Sequence, residues 1–203
     1  MKKNMVLLRR AAFMALSVII IFSALALINT ENARISAQQR IGMPGQNFVI
    51  MELFTSQGCS SCPPADALLA EYASAHNDNI IPLSFHVDYW NRLGWTDPFS
   101  KSAYSARQQW YSQHLPQHSV YTPQLVVNGK SEAVGNNRNA VKGLVQKELT
   151  ARSSAGISIE EATIGKNAVI FHYKTTGTGQ YDVLNIALVQ KKATTRIKSG
   201  EQK

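Results

Sequence analysis

Cysteine is scarce in this chain: its 203 residues contain two, Cys59 and Cys62. With no second pair there is no disulfide framework of the kind that staples small secreted domains, and no four-cysteine zinc centre. Charge is scarce in the middle of the chain as well. The formal net charge of +8 suggests a nucleic-acid binder until it is divided along the sequence. Residues 1–40 carry six Lys/Arg against Glu31, and the tail from Lys191 to Lys203 carries five against Glu201. Residues 41–190 hold ten basic and eleven acidic side chains, a net of −1. That near-neutrality excludes the basic footprint that nucleic acid requires.

Long apolar runs are confined to one place. Lys2, Lys3, Arg9 and Arg10 precede an uncharged stretch from Ala11 to Ile28, the basic and apolar halves of an export signal. Ala24-Leu25-Ala26 and Ile35-Ser36-Ala37 both offer the small-residue pattern at which such leaders are cut. At about 18 residues the run also reaches the lower limit for spanning a bilayer, so an uncleaved anchor is the other outcome. Either way the positive flank stays inside and the remainder is expected outside the cytosol, periplasmic or extracellular. Membrane contact is expected through this segment alone.

Export changes what two cysteines can mean, because such compartments permit disulfides. Cys59-Ser60-Ser61-Cys62 can staple a turn, ligate a metal or shuttle electrons. A staple gains little here, since the loop it closes is minimal and closure entropy grows with loop length. Position favours the shuttle. The pair follows a strand-like run, Phe48-Val49-Ile50-Met51-Glu52-Leu53-Phe54, and precedes Pro63 and Pro64, which suit a first helical turn, with Ala67, Leu68, Leu69, Tyr72 and Ala73 at helical spacing. At a helix N-terminus the first N–H groups are unpaired and the dipole is positive, so a thiolate is stabilised. That thiolate is the nucleophile of disulfide exchange.

The remaining pattern sets the order of elements. Residues 1–28 read as the leader and 29–47, with Gly42, Pro44 and Gly45, as an extended linker. The helix after the cysteines is predicted to end near His76-Asn77-Asp78-Asn79, and Ile80 to Val87 reads as a second strand, parallel to the first through a right-handed crossover. Asp88 to Ser119 is a helical insertion holding all three tryptophans, Trp90, Trp95 and Trp110. Its rings are expected either to cover a core or to form a platform facing substrate. Gln124 to Val127 runs into Asn128-Gly129, a turn signal, with Glu132-Ala133-Val134 returning as its hairpin partner. Asn136-Asn137 offers a cap for a helix through Ala140, Val141, Leu144, Val145 and Leu149. The main domain is therefore expected over 48–152. From residue 153 a β-rich appendage is predicted, with strands at Ile157–Ile159, Ala168–Tyr173 and Val183–Val189 broken by Gly-rich turns at Gly165-Lys166-Asn167 and Gly177-Thr178-Gly179.

A β-α-β, helical insertion, β-β-α order with C-x-x-C at the first strand-to-helix turn is similar to the thioredoxin fold. That α/β fold places a proline, usually cis, before its third strand and facing the cysteines, where this chain has Thr122-Pro123. The run Glu52-Leu53-Phe54-Thr55-Ser56-Gln57-Gly58-Cys59-Ser60-Ser61-Cys62-Pro63-Pro64-Ala65-Asp66 resembles the hallmark of a family of exported bacterial proteins, domain of unknown function 1223 (DUF1223). His86-Val87-Asp88-Tyr89-Trp90 and Tyr121-Thr122-Pro123-Gln124 resemble it too, and the similarity covers roughly residues 48–198. The resemblance implies a thioredoxin-like fold and export, and brings no established reaction. It also implies a chain that runs on past Glu201; since three strands do not easily close a sandwich, the appendage is expected to have an exposed edge, a partner or a shortened end.

On this reading Cys59, at the exposed start of the turn, is the attacking thiolate and Cys62 the resolving thiol. Pro123 and Thr122 line the groove for a substrate chain, which can pair with the backbone there as an added strand. Gly58 either permits a close backbone approach or serves as a simple turn residue. His86 and Asp88 are candidates for proton transfer, with a turn or capping role as the alternative for Asp88. The substrates would be protein or small-molecule thiols and disulfides, with no cofactor beyond the dithiol. Two rivals stand beside this: copper or zinc held by Cys59, Cys62 and His86, or a non-enzymatic thioredoxin-like binding module.

Overall fold

The structure is a computed structural model that describes residues 47–152, 155–165, 168–177 and 184–198. The leader at 1–28 and the linker up to residue 46 lie outside the described residues. β1 (Val49–Thr55) organises the fold, because its alternation sends Val49, Met51 and Leu53 to one face of the sheet and Glu52 and Phe54 to the other. Every one of those side chains is buried, so β1 is a central strand covered on both sides.

α1 (Pro63–Ser74) returns the chain to β2 (Ile80–His86), which pairs parallel with β1 in the register Val49↔Ile80 to Thr55↔His86. β3 (Gln124–Val127) lies antiparallel on the other side of β1, and β4 (Ser131–Val134) is the outer strand, giving the order β2-β1-β3-β4. Between β3 and β4, Asn128 (φ 50°) and Gly129 (φ 65°) form the tight turn that Asn-Gly signals. Asn128 also ties this turn to β1: Ile50 N–H donates to its Oδ1 at 2.8 Å and its own N–H to Ile50 O at 2.9 Å. α3 (Arg138–Thr150) begins at the expected cap, where Asn137 Oδ1 accepts from Ala140 N–H at 3.1 Å.

α1 and α3 cover one face of the sheet, contributing Ala65, Leu68, Leu69, Val141 and Val145 to an apolar cluster with Val49, Met51, Leu53, Leu125 and Val127. The insertion, a 3₁₀ turn at Asn91–Leu93 followed by α2 (Ser102–His114), packs Tyr111 and Leu115 with Phe54, Val87 and Val126. The polar look of α2 has a counterpart on the strands. Arg107 Nε and Nη2 bond Glu52 at 2.5 and 2.8 Å, and Tyr111 Oη donates to Glu52 at 2.7 Å. Gln108 Nε2 donates to Gln124 Oε1 at 2.8 Å and to Tyr121 O at 2.7 Å. A buried carboxylate and a buried amide on the sheet thus find partners on the helix that covers them.

The architecture is the α/β thioredoxin-like fold with antiparallel strands after it. Those strands are β5 (Ala155–Ile164) and β6 (Val169–Gly177), a two-stranded sheet closed by the Gly165 N–H to Ala168 O bond, and they belong to a different compact unit from the main sheet. The third appendage strand, predicted over Val183–Val189, is not formed in its described part. Residues 184–190 have no regular structure, and Ile186 and Leu188 are exposed. The run has strand-forming residues, but such propensity becomes a strand only where a ladder partner satisfies the backbone. Among the described residues no helix is long and apolar enough to cross a membrane.

Candidate functional site

Cys59 and Cys62 are joined in a disulfide with their Cα atoms 5.5 Å apart. They sit between β1 and α1 in two successive turns, with Cys59 N–H bonded to Ser56 O and Cys62 N–H to Cys59 O. Both cysteines are buried, whereas Ser60 and Ser61 are exposed. The expectation that Cys59 lies at an exposed position is corrected here. The loop exposes its two serines and sets Cys59 Sγ against the Thr122 hydroxyl beside the cis Thr122–Pro123 peptide.

The expected supply of free amides at the helix start is also corrected. Of the four N–H groups that a helix N-terminus ordinarily leaves unpaired, Pro63 and Pro64 carry none, Cys62 N–H goes to Cys59 O, and Ala65 N–H goes to Cys62 O at 2.9 Å. The helix dipole remains as a main-chain contribution. Side-chain hydroxyls approach the sulfur instead. Thr122 Oγ1 donates to Cys59 Sγ at 3.3 Å, and Ser61 Oγ lies 3.4 Å from the same atom.

Thr122 is half-buried and faces the dithiol, while Pro123 is buried behind it. Pro123 O accepts Gly135 N–H at 2.9 Å. Gly135 is where the cis loop, β1 and α1 converge: a Cβ there would stand 2.7 Å from Leu53 Cδ1, 3.1 Å from Ala65 Cβ and 3.3 Å from Pro123 Cβ. Gly58 serves a close approach of the same kind, with a Cβ at that position meeting Trp90 Cβ at 3.1 Å.

The aromatic insertion covers a core, one of the two expectations for it, with Tyr111 in the cluster around Phe54 and Tyr89 and Trp90 packed against that cluster, and it also grips the dithiol loop. Trp90 Nε1 donates to Thr122 Oγ1 at 2.9 Å, and Trp95 Nε1 donates to Gln57 Oε1 at 3.0 Å. Asp97, fully buried, accepts Gln57 N–H and His86 Nδ1–H through Oδ2, at 2.9 and 2.6 Å, and Phe99 N–H through Oδ1. Burial pushes the Asp97 carboxyl up, but the His86 ring and the Gln57 and Phe99 amides together hold it below the usual carboxylate value. Sequence reasoning assigned no role to Trp90, Trp95, Gln57 or Asp97 singly. Their signal was the crowding of indoles, each with one N–H to place, near a dithiol.

His86 therefore pairs with Asp97. Among the described residues no group of three His, Cys, Asp or Glu side chains could hold a metal ion. Asp88 turns to α2, accepting Ser105 Oγ at 2.5 Å, and its carbonyl accepts Asn91 N–H, which is the turn role. Asp66, which the sequence left without a role, stands in the first turn of α1 beside the buried Thr55 hydroxyl. Burial pushes its carboxyl up to about 6, the neighbouring Asp97 adding to this while the Thr55 hydroxyl and His86 oppose it.

Residues 50–203 match the family described as "Protein of unknown function (DUF1223)". A crystal structure of a protein from Agrobacterium tumefaciens is similar at 32% identity with a TM-score of 0.52, over 63% of this chain and 56% of that one. HBP35 of Porphyromonas gingivalis matches at 16% identity with a TM-score of 0.46, over 67% of this chain and 44% of that one. The chain thus spans about half the length of the solved proteins it matches. None of the curated proteins matches it. The long run around the two cysteines, the turn at Asp88 and the Thr122–Pro123 loop, which converge on one dithiol, lie within a match that extends over most of the sequence, and the chain belongs to the DUF1223 family.

Proposed function

We propose that this chain is an exported protein of the thioredoxin-like superfamily that exchanges disulfides through Cys59 and Cys62. The observation that carries the reading is the bond between the chain's two cysteines at the β1–α1 junction, with the Thr122 hydroxyl donating to Cys59 Sγ. In the reduced protein, Cys59 thiolate attacks one sulfur of a substrate disulfide. A Cys59–substrate S–S bond forms, the substrate S–S bond breaks, and the departing thiolate takes a proton. Cys62, having lost its proton, then attacks Cys59 Sγ. The intramolecular disulfide forms and the second substrate sulfur leaves as a thiolate. Two electrons pass from the dithiol to the substrate, and the reverse sequence oxidises a substrate dithiol. Protein or small-molecule thiols and disulfides are the substrates, and the dithiol itself is the only redox group required.

The deciding experiment equilibrates the protein with glutathione redox buffers to obtain the reduction potential of the Cys59/Cys62 couple, with Cys62→Ser used to trap a mixed disulfide. A measurable potential and a trapped adduct on Cys59 are expected. Absence of both, with Cys59 accessible to alkylation after reduction, would leave the fold as a binding module. Export is tested by fusing residues 1–47 to a reporter active only outside the cytosol; a silent fusion would remove that part of the reading.

A further inference from the structure

Two successive hydrogen bonds link three atoms across the site: Trp90 Nε1 to Thr122 Oγ1 at 2.9 Å and Thr122 Oγ1 to Cys59 Sγ at 3.3 Å. An indole N–H can only donate, so Thr122 Oγ1 must accept from Trp90 with a lone pair. The threonine's single proton is then left for another acceptor. Two are within reach, Cys59 Sγ and the Tyr89 phenol oxygen. Tyr89 is itself committed as a donor to Gln108 Oε1 at 3.1 Å, because Gln108 spends its amide protons on Tyr121 O and Gln124 Oε1. Once Cys59 is a thiolate, a charge-assisted bond to sulfur outcompetes a neutral one to a phenol.

We propose that Trp90 is a positioning residue for the dithiol: its indole N–H fixes the Thr122 hydroxyl so that the hydroxyl proton is donated to Cys59 and favours its thiolate. The assignment deepens the exchange reading and rests on Cys59 being the reacting thiolate. It also accounts for what replaces the amides that Pro63 and Pro64 remove from the start of α1. Gly58 leaves room for Trp90, since a Cβ at position 58 would stand 3.1 Å from Trp90 Cβ. The titratable groups around the loop are Tyr89 and Asp97 from the insertion, His86 from β2 and Asp66 from α1. None is altered in the variants below.

The test measures iodoacetamide alkylation rate against pH in the full chain carrying Cys62→Ser, where Cys59 is the one remaining thiol. Thr122→Val is expected to raise the midpoint by about one pH unit, the scale of a lost charge-assisted bond. Trp90→Phe is expected to raise it in the same direction, and Thr122→Ser to restore it. The double variant Trp90→Phe/Thr122→Val should shift no further than Thr122→Val alone, because Trp90 acts through the hydroxyl. A midpoint unmoved by Trp90→Phe, or additive shifts, would overturn the assignment. Should Trp90→Phe not fold, the indole ¹⁵N–¹H resonance of Trp90 in the unaltered tryptophan background must titrate with the Cys59 midpoint; a flat resonance overturns the proposal. These readouts need no disulfide exchange. Midpoints that move as stated in a protein with no measurable exchange would refute the exchange reading and leave Trp90's role standing.

Discussion

His86 and Asp97 are joined by a 2.6 Å contact between Nδ1 and Oδ2, and that same Oδ2 holds the backbone N–H of Gln57, two residues before Cys59. The end of β2, the insertion and the dithiol loop are thereby locked through one buried carboxylate. The carboxylate faces a nitrogen donor and two amides, so its charge is solvated by the protein rather than by water. A lone histidine on a strand and an aspartate before a proline had no visible connection in the sequence.

Asp97→Ala strands the N–H groups of the half-buried Gln57 and Phe99 together with the His86 ring. The expected loss of stability is about 3 kcal/mol, the scale for deleting one side of a buried charged network. Urea unfolding checks the magnitude, and faster hydrogen exchange at Gln57 checks the location. An unchanged midpoint would mean that the loop does not depend on this carboxylate.

The pH dependence of stability is predicted to carry the mark of Asp66. Its carboxyl is raised from 3.8 to about 6 by burial, so between those values the folded protein holds a proton that the unfolded chain has released. Stability therefore falls as pH rises through that window and levels off above it. Asp66→Asn removes the slope. The variant should match the parent near the acid end and exceed it at neutral pH by up to about 3 kcal/mol, two pH units of linkage. A difference curve that is flat or of opposite sign would refute the raised value.

Gly135→Ala is predicted to destabilise the domain by about 2 kcal/mol, the usual cost of overpacking. The added methyl would meet Leu53, Ala65 and Pro123 together. Thermal or urea unfolding of the oxidised protein measures it. Full stability in this variant would show that the three elements can move apart freely.

Arg107→Met leaves the carboxylate of buried Glu52, among the described residues, with Tyr111 as its remaining side-chain partner, and an expected loss of about 3 kcal/mol follows. Glu52→Gln/Arg107→Met should recover most of it, because the buried charge is then gone. Urea midpoints of the single and double variants decide the matter, and a double variant no better than the single would contradict it.

The βαβ unit, the Asn128–Gly129 turn and the cap at Asn137 were legible because each rests on local chemistry: an apolar run of strand formers, a left-handed turn residue, a capping oxygen; the cis Thr122–Pro123 junction was implied by the resemblance to the thioredoxin fold. What the sequence concealed depends on partners far along the chain. The burial of Cys59, the Asp97–Gln57 bond and the Trp90–Thr122 bond are tertiary facts with no periodic trace. Asp66 looked like an ordinary acidic residue in a first helical turn, since only burial distinguishes it. At Val183–Val189 the error ran the other way, with residue preference mistaken for a paired strand.

The two prolines after Cys62 have a consequence for how this site can vary. A main-chain amide is the same in every sequence, so a thiolate held by amides is difficult to retune by substitution. Here the Thr122 hydroxyl donates to Cys59 Sγ, and the Ser61 hydroxyl lies 3.4 Å from the same atom. On the proposed exchange reading, electron affinity at such a dithiol would be set in part by replaceable side chains, and single-codon changes at positions 61, 90 and 122 are expected to move it while both cysteines stay in place.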